Sequence, residues 1–397
     1  MAMDISALQR TLRELGLDGW LLYDFRGQNP TAVDALGLDG HMLTRRWCYL
    51  VPARGDPAVL VHAIELRSFP PEVVGRRASY LSWGSFTEAL QAMLSTLPGR
   101  RLAMEYLPLG AIPYLSRVDA GTVELVRSMG LEVVSSAELV QRFLCRWTPH
   151  QLASHVRAVR AIDGAKDAAF EQIGIALRRG LEVTEATIQS FLVAELGRAQ
   201  LHADHPPIVA VNAHAGDPHY EPSPRTSTAI RSGDLVLIDL WARERDPAAV
   251  YGDITWVGYC GDRPPARAEQ IFRIAAEARD AGLDALRAAH RERRVLQGWQ
   301  VDRVVRDHIA ASGHGDKFIH RTGHSIGRKV HGDGANLDDL ETHDTRELIE
   351  GLAFSIEPGI YLPEEGLGVR TEIDVALTAD GPQVFSPIQR ELVRIPC

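Results

Sequence analysis

A chain of 397 residues exceeds what one compact core usually holds, so two domains are expected. With 45% hydrophobic and 24% charged residues the composition is that of a globular protein, and a formal charge of −9 excludes the basic surface of a sequence-independent nucleic-acid binder. Cys48, Cys145, Cys260 and Cys397 are scattered without a Cys-x-x-Cys pair, which excludes a disulfide framework or zinc knuckle and fits a reducing cytoplasm.

The first residues are amphipathic and charged, without the apolar core of a signal peptide, and no apolar run approaches the roughly 20 residues of a membrane span. Ile5, Leu8, Leu12 and Leu15 recur at helical spacing, and Gly16 can end that helix. Trp20–Tyr23 reads as a strand, and Trp47–Val51 with Ala58–His62 as a hairpin around the turn formers of 52–57. A helix through Phe86, Leu90 and Leu94, a strand over Arg101–Tyr106, a helix over Val123–Met129 and a strand over Leu131–Val134 complete an α/β domain ending near residue 145.

Thr148-Pro149 starts a long helix to about Arg179, and Thr184 caps another through Leu196. Two more helices are expected over Pro265–His290 and Val301–Ala311, with strands over Leu235–Trp241, Ile254–Tyr259, Ala353–Ile356 and Glu372–Leu377. Residues 146–397 therefore read as an α+β domain, preceded by the smaller α/β domain of 1–145.

Five segments of the second half carry chemistry. Asp239 follows four apolar residues in Leu-Val-Leu-Ile-Asp239-Leu-Trp, where a bare carboxylate costs several kcal/mol unless paired or bound to metal. A lone aspartate at a strand end more often caps a turn. Asp253, in Tyr-Gly-Asp253-Ile-Thr, gains meaning from Asp239, because a hairpin would bring the two carboxylates together and like charges call for a cation. His320, His324 and His331 share a flexible, glycine-interrupted loop, and histidine is both a metal ligand and a proton carrier near neutral pH. Glu357 precedes the turn Pro358-Gly359, and alternation puts Arg370, Glu372 and Asp374 on one face of a strand. Four carboxylates and one imidazole form an oxygen-rich set suited to two divalent ions.

The order Asp…Asp…His…Glu…Glu, in the contexts LIDLW, GDIT, TGHSIG with VHGDG, SIEPGIYL and GVRTEID, resembles the pita-bread metallopeptidases, which include methionine aminopeptidase, Xaa-Pro aminopeptidase and Xaa-Pro dipeptidase. The leading 145 residues resemble the creatinase-type N-terminal domain of the proline-specific members. The resemblance implies a pita-bread catalytic domain, a homodimer, and a two-metal cage of Asp239, Asp253, His324, Glu357 and Glu372. It further implies substrate contacts from His219, His331 and Arg370, and catalytic parts for Glu357, His331 and His320. The expected reaction is cleavage of Xaa-Pro dipeptides by a hydroxide bridging the metals, with Glu357 carrying the proton to the leaving nitrogen and His331 donating to the oxyanion.

An Xaa-Pro aminopeptidase would share every residue named. A creatinase-like amidinohydrolase or a non-catalytic module on the same fold would be expected to lack ligands that are present here. Manganese is expected, with cobalt or zinc as alternatives, since ligand hardness and the affinity order pull in opposite directions. Three departures from the family pattern are expected to reshape the pocket rim. They are the fourteen-residue spacing of the two aspartates, Trp256-Val257 after Thr255, and Arg328-Lys329 before Val330-His331.

Overall fold

The first predicted helix runs Ile5–Glu14, capped by Asp4, whose side chain accepts the Ala7 amide. It belongs to one of two compact units, Met1–Cys145 and Arg146–Cys397, of a computed structural model that describes residues 3–397. Met1 and Ala2 lie outside the described residues.

In the first unit a six-stranded mixed sheet has the order Arg76–Tyr80, Ala58–His62, Trp47–Pro52, Gly19–Asp24, Arg101–Met104, Glu132–Ser135. The predicted hairpin is its antiparallel pair Trp47–Pro52 and Ala58–His62. Gly19–Asp24 is buried throughout, and apolar clusters cover both faces of the sheet. Among the elements that escape the sequence reading are a helix and an edge strand. Helix Pro30–Leu36 is too short to show a period, and edge strand Arg76–Tyr80 exposes four of its five side chains.

The second unit is held by helices Pro149–Arg178, Glu185–Arg198, Ala266–Arg291 and Gly298–Ala311. Thr148 caps the first with a reciprocal bond to Gln151, and Thr184 caps the second in the same way with Thr187. The central hairpin pairs Leu235–Glu244 with Gly252–Cys260, which in turn pairs in parallel with Val393–Ile395.

Strand period 2 sorts the hairpin's side chains. Val236, Ile238, Leu240 and Ile254 pack with Ile162, Phe170 and Ile173 of the long first helix. Leu235, Leu237 and Val257 on the other face pack with Ile271, Phe272 and Ala275 of the third helix. Asp239 and Asp253 continue this second face beyond the apolar cluster. Burying a side chain such as Ile238 contributes about 1.5–3 kcal/mol, so a register slip that moved both aspartates into the apolar face would be costly.

The expected strand over Glu372–Leu377 is present as Ile373–Thr378, but Arg370 belongs to a different strand from Asp374. Leu367–Arg370 pairs with Gly359–Leu362, whereas Ile373–Thr378 pairs with Ala353–Ile356. The chain breaks pairing at Thr371 and Glu372 as it passes between partners, and Arg279, fully buried, holds the break by donating to Thr371 Oγ1 at 2.6 Å. No helix among the described residues is long and apolar enough to cross a membrane.

Candidate metal centre

Asp239 and Asp253 are not directly opposite in the hairpin. Asp239 faces Thr255 and Asp253 faces Trp241, so the two carboxylates lie diagonally on one surface. The long spacing between them is taken up by extension of the first strand to Glu244, whose carboxylate Arg157 grips at 2.7 Å through both Nε and Nη2. Trp256 does not reshape this surface. It lies on the opposite face, where the buried Lys166 ammonium sits 3.5 Å from its ring centre.

The histidine segment carries no regular structure, yet it is fastened. Gly323 and Ser325 make single bridges to Leu337 and Phe354, which corrects the expectation of a flexible loop. Gly323 is required there, since a Cβ would fall 1.9 Å from the Ser355 carbonyl oxygen. Ser355 Oγ accepts the His324 amide at 3.0 Å and donates to Glu357 Oε1 at 2.9 Å, so one hydroxyl positions both groups.

Asp253, His324 and Glu372 converge, with one donor atom of each within 4.8 Å of the others. His324 Nε2 stands 3.5 Å from Asp253 Oδ2 and 3.4 Å from Glu357 Oε1. His324 Nδ1 lies 3.2 Å from the Ser325 carbonyl, and a proton there frees the Nε2 lone pair for a cation. Glu372 Oε2 accepts from Thr255 Oγ1 at 2.7 Å. Among the described residues neither Glu372 Oε1 nor Asp253 Oδ1, both buried, has a hydrogen-bond partner. Buried carboxylate oxygens left without partners in residues that converge fit a divalent ion, and hard oxygen donors with one imidazole are the set such ions accept.

Electrostatics say the same. Burial, with the neighbouring carboxylates, pushes the Asp253 carboxyl up to about 7 and raises Asp239 and Glu372 above the usual range. Glu357 is also driven up by burial, but His324, His320 and Arg370 outweigh that and hold it below the ordinary value. Asp239 Oδ2 is engaged by Arg370 Nη2 at 2.5 Å, whereas among the described residues no arginine or lysine pairs with Asp253, whose ion-pair partner is His324.

The remaining predicted residues surround this core. Burial lowers the His320 imidazole to about 4, and its Nδ1 and Nε2 contact the Arg321 carbonyl and the Tyr361 hydroxyl, each at 2.7 Å. The His331 ring centre is 4.3 Å from that of His324, and burial lowers its imidazole to about 3, helped by His324 and Arg321. His219 is exposed in the segment after strand Ile208–Val211, its amide bonded to Asp217. Arg370 also bonds Thr255 and Tyr361, each at 3.2 Å. Missed by the sequence reading were Thr255, Ser355 and Tyr361, and the role of Asp374, whose Oδ2 accepts the Asp253 amide at 2.7 Å.

Comparison with known proteins points to a peptidase family. Residues 156–379 match metallopeptidase family M24. An Xaa-Pro dipeptidase of Lactobacillus helveticus is 29% identical over 265 residues, covering 65% of this chain and 65% of that protein, a little under two thirds of its length. A probable dipeptidase PepE of Mycobacterium tuberculosis (strain ATCC 25618 / H37Rv) is 27% identical over 366 residues, covering 91% of this chain and 88% of that one. The crystal structure of dipeptidase PepE from Mycobacterium ulcerans superposes with a TM-score of 0.75 at 23% identity, covering 99% and 97% of the two chains, and shows the pita-bread fold.

Proposed function

The chain belongs to metallopeptidase family M24, and we propose that it is an Xaa-Pro dipeptidase that works with two divalent cations. The observation that carries this reading is the buried convergence of Asp253, His324 and Glu372 with two unpartnered carboxylate oxygens. The ligands are Asp239, Asp253, His324, Glu357 and Glu372, with manganese the expected ion. The dipeptidase names of the Lactobacillus and Mycobacterium relatives support the substrate class.

When bound, the cations supply Lewis acidity and a water ionised near neutral pH. The protein supplies the rest. Glu357, kept ionised by the charges around it and steadied by Ser355, takes the proton of the attacking water and returns it to the proline nitrogen. That delivery decides turnover, because an Xaa-Pro bond is a tertiary amide whose nitrogen is a poor leaving group unless protonated. His331 donates to the oxygen of the scissile carbonyl as charge develops there, and His219 holds the peptide.

The bonds of Arg370 to Asp239, Thr255 and Tyr361 support a cage-holding part for it over contact with the substrate's carboxyl end. His320, with the Tyr361 hydroxyl on Nε2, supports the same cage from the other side. A homodimer in a reducing cytoplasm completes the proposal, and the four free cysteines support the compartment.

The test is hydrolysis of Ala-Pro and Ala-Pro-Ala by protein stripped of metal and reloaded with Mn²⁺, Co²⁺ or Zn²⁺. Metal-dependent cleavage of Ala-Pro in preference to the tripeptide is expected. Preference for the tripeptide replaces the reading with an Xaa-Pro aminopeptidase, and metal-independent turnover overturns the cage.

A further inference from the structure

Residues 212–228 make an excursion from the sheet that carries His219, and one carboxylate outside every motif holds it. Glu185 opens helix Glu185–Arg198 with its side chain fully buried. Its Oε1 accepts the Val211 amide at 2.7 Å, and its Oε2 accepts the Thr228 amide at 2.7 Å. The same two oxygens meet His214 Nδ1 at 2.9 Å and the Tyr220 hydroxyl at 2.6 Å. Val211 and Thr228 are the two ends of the excursion, and His214 and Tyr220 bracket His219 within it. The His214 and Tyr220 rings stack, 4.2 Å between centres and 23° between planes.

Strand Leu367–Arg370 clamps the excursion from another side. A Cβ on Gly368 would fall 1.8 Å from the Ala215 carbonyl oxygen, so the two backbones touch. His219 itself makes no contact with Glu185 in the bonds above. What Glu185 fixes is the backbone before and after it.

We propose that Glu185 is a positioning residue for peptide binding, a carboxylate latch that closes the 212–228 excursion and thereby sets where His219 meets the substrate. The proposal rests on the substrate role given to His219. Glu185 would control KM without touching peptide, because a latch released between its ends lets His219 wander. The chemistry of the four donors makes the carboxylate specific. A glutamine offers one accepting oxygen, and whichever way it turns its amide nitrogen would oppose the backbone amide of Val211 or of Thr228. An aspartate is one methylene too short to meet all four.

The test compares metal-loaded Glu185→Gln, Tyr220→Phe, His219→Ala and the Glu185→Gln/His219→Ala double variant on Ala-Pro. KM is expected to rise roughly tenfold in Glu185→Gln while kcat stays within about threefold, because uniform binding is what is lost. Tyr220→Phe, which removes one donor, should raise KM by about threefold in the same direction. The decisive reading is coupling: the double variant should be no worse than His219→Ala alone, since the latch acts only through His219.

Effects of Glu185→Gln and His219→Ala that multiply in the double variant overturn the proposal, as does a native KM in Glu185→Gln when His219→Ala raises it. A native KM in His219→Ala removes the substrate role of His219 and the latch proposal with it. Should Glu185→Gln not fold, Tyr220→Phe and its double with His219→Ala make the same comparison.

Discussion

Thr255 Oγ1 donates to Glu372 Oε2 at 2.7 Å and accepts from Arg370 Nε at 3.2 Å, so a single hydroxyl couples a carboxylate of the candidate cage to its buried cation. Thr255 lies opposite Asp239 in the hairpin, which puts the hydroxyl on the cage side of the strand. Removing it leaves Glu372 free to turn.

Thr255→Val keeps the shape of the side chain and should leave the fold intact. Divalent-metal affinity should fall about 10–100-fold, the usual effect of deleting a group that orients a ligand. Competition with a chelator of known affinity measures it. Native affinity in the variant would show that Glu372 is not held for a metal.

Glu357→Gln removes the proton carrier while keeping an oxygen for the metal and for Ser355. Metal content should stay within reach of the native protein, and kcat on Ala-Pro should drop by about 10²–10⁴ or more. Turnover at the native rate with metal bound would assign the proton transfer to another group.

Glu372→Gln should act with opposite signs in the two states of the enzyme. In metal-free protein it replaces a buried carboxylate bearing an unpartnered oxygen, and the melting temperature should rise. Saturating Mn²⁺ should stabilise the native protein by about 2.7 kcal/mol at a hundredfold excess over Kd, and the variant should lose most of that gain. Thermal melts with and without Mn²⁺ give both numbers. Equal gains in the two proteins would remove Glu372 from the cage.

His155 offers a pH signature behind the candidate cage, where its Nδ1 lies 3.9 Å from Asp374 Oδ2. Burial lowers its imidazole to about 4, opposed by its bond to the Tyr251 carbonyl at 2.8 Å. Between the unfolded value near 6.5 and about 4 the unfolded chain holds the extra proton, so the neutral ring contributes its full stability above that window and loses it as pH falls. The loss approaches about 1.4 kcal/mol per pH unit within the window. Urea unfolding of metal-free protein at pH 7 and pH 5 should show a smaller difference in His155→Asn, which can still donate to Tyr251. An unchanged difference would mean that other groups carry the acid sensitivity.

Part of the candidate site was legible because some of its residues interrupt a local pattern, whereas Asp253 and Glu372 gained meaning only from the others. Asp239 ends an apolar run, Glu357 precedes a Pro-Gly turn, and His324 sits among glycines. The main helices were legible for the same local reason: Thr148-Pro149 and Thr184 announce their own starts. What could not be read is what depends on distant partners. Thr255 and Glu372 are 117 positions apart, and Arg279 and Thr371 are 92 apart. Thr255 therefore carried no local signal in its strand, and neither did Arg279 in its helix. The alternation that put Arg370 on one strand with Glu372 and Asp374 failed likewise, because it describes a face but not a change of partner at Thr371.

Gly323 has no side chain to offer the reaction, yet it governs two groups that do. A methyl group there would press on Ser355, the residue that spaces His324 from Glu357. Gly323→Ala would leave every proposed ligand chemically intact and spoil the distances among them. The enzyme is therefore vulnerable at an atom it lacks, and a variant carrying every cage residue can still be inactive.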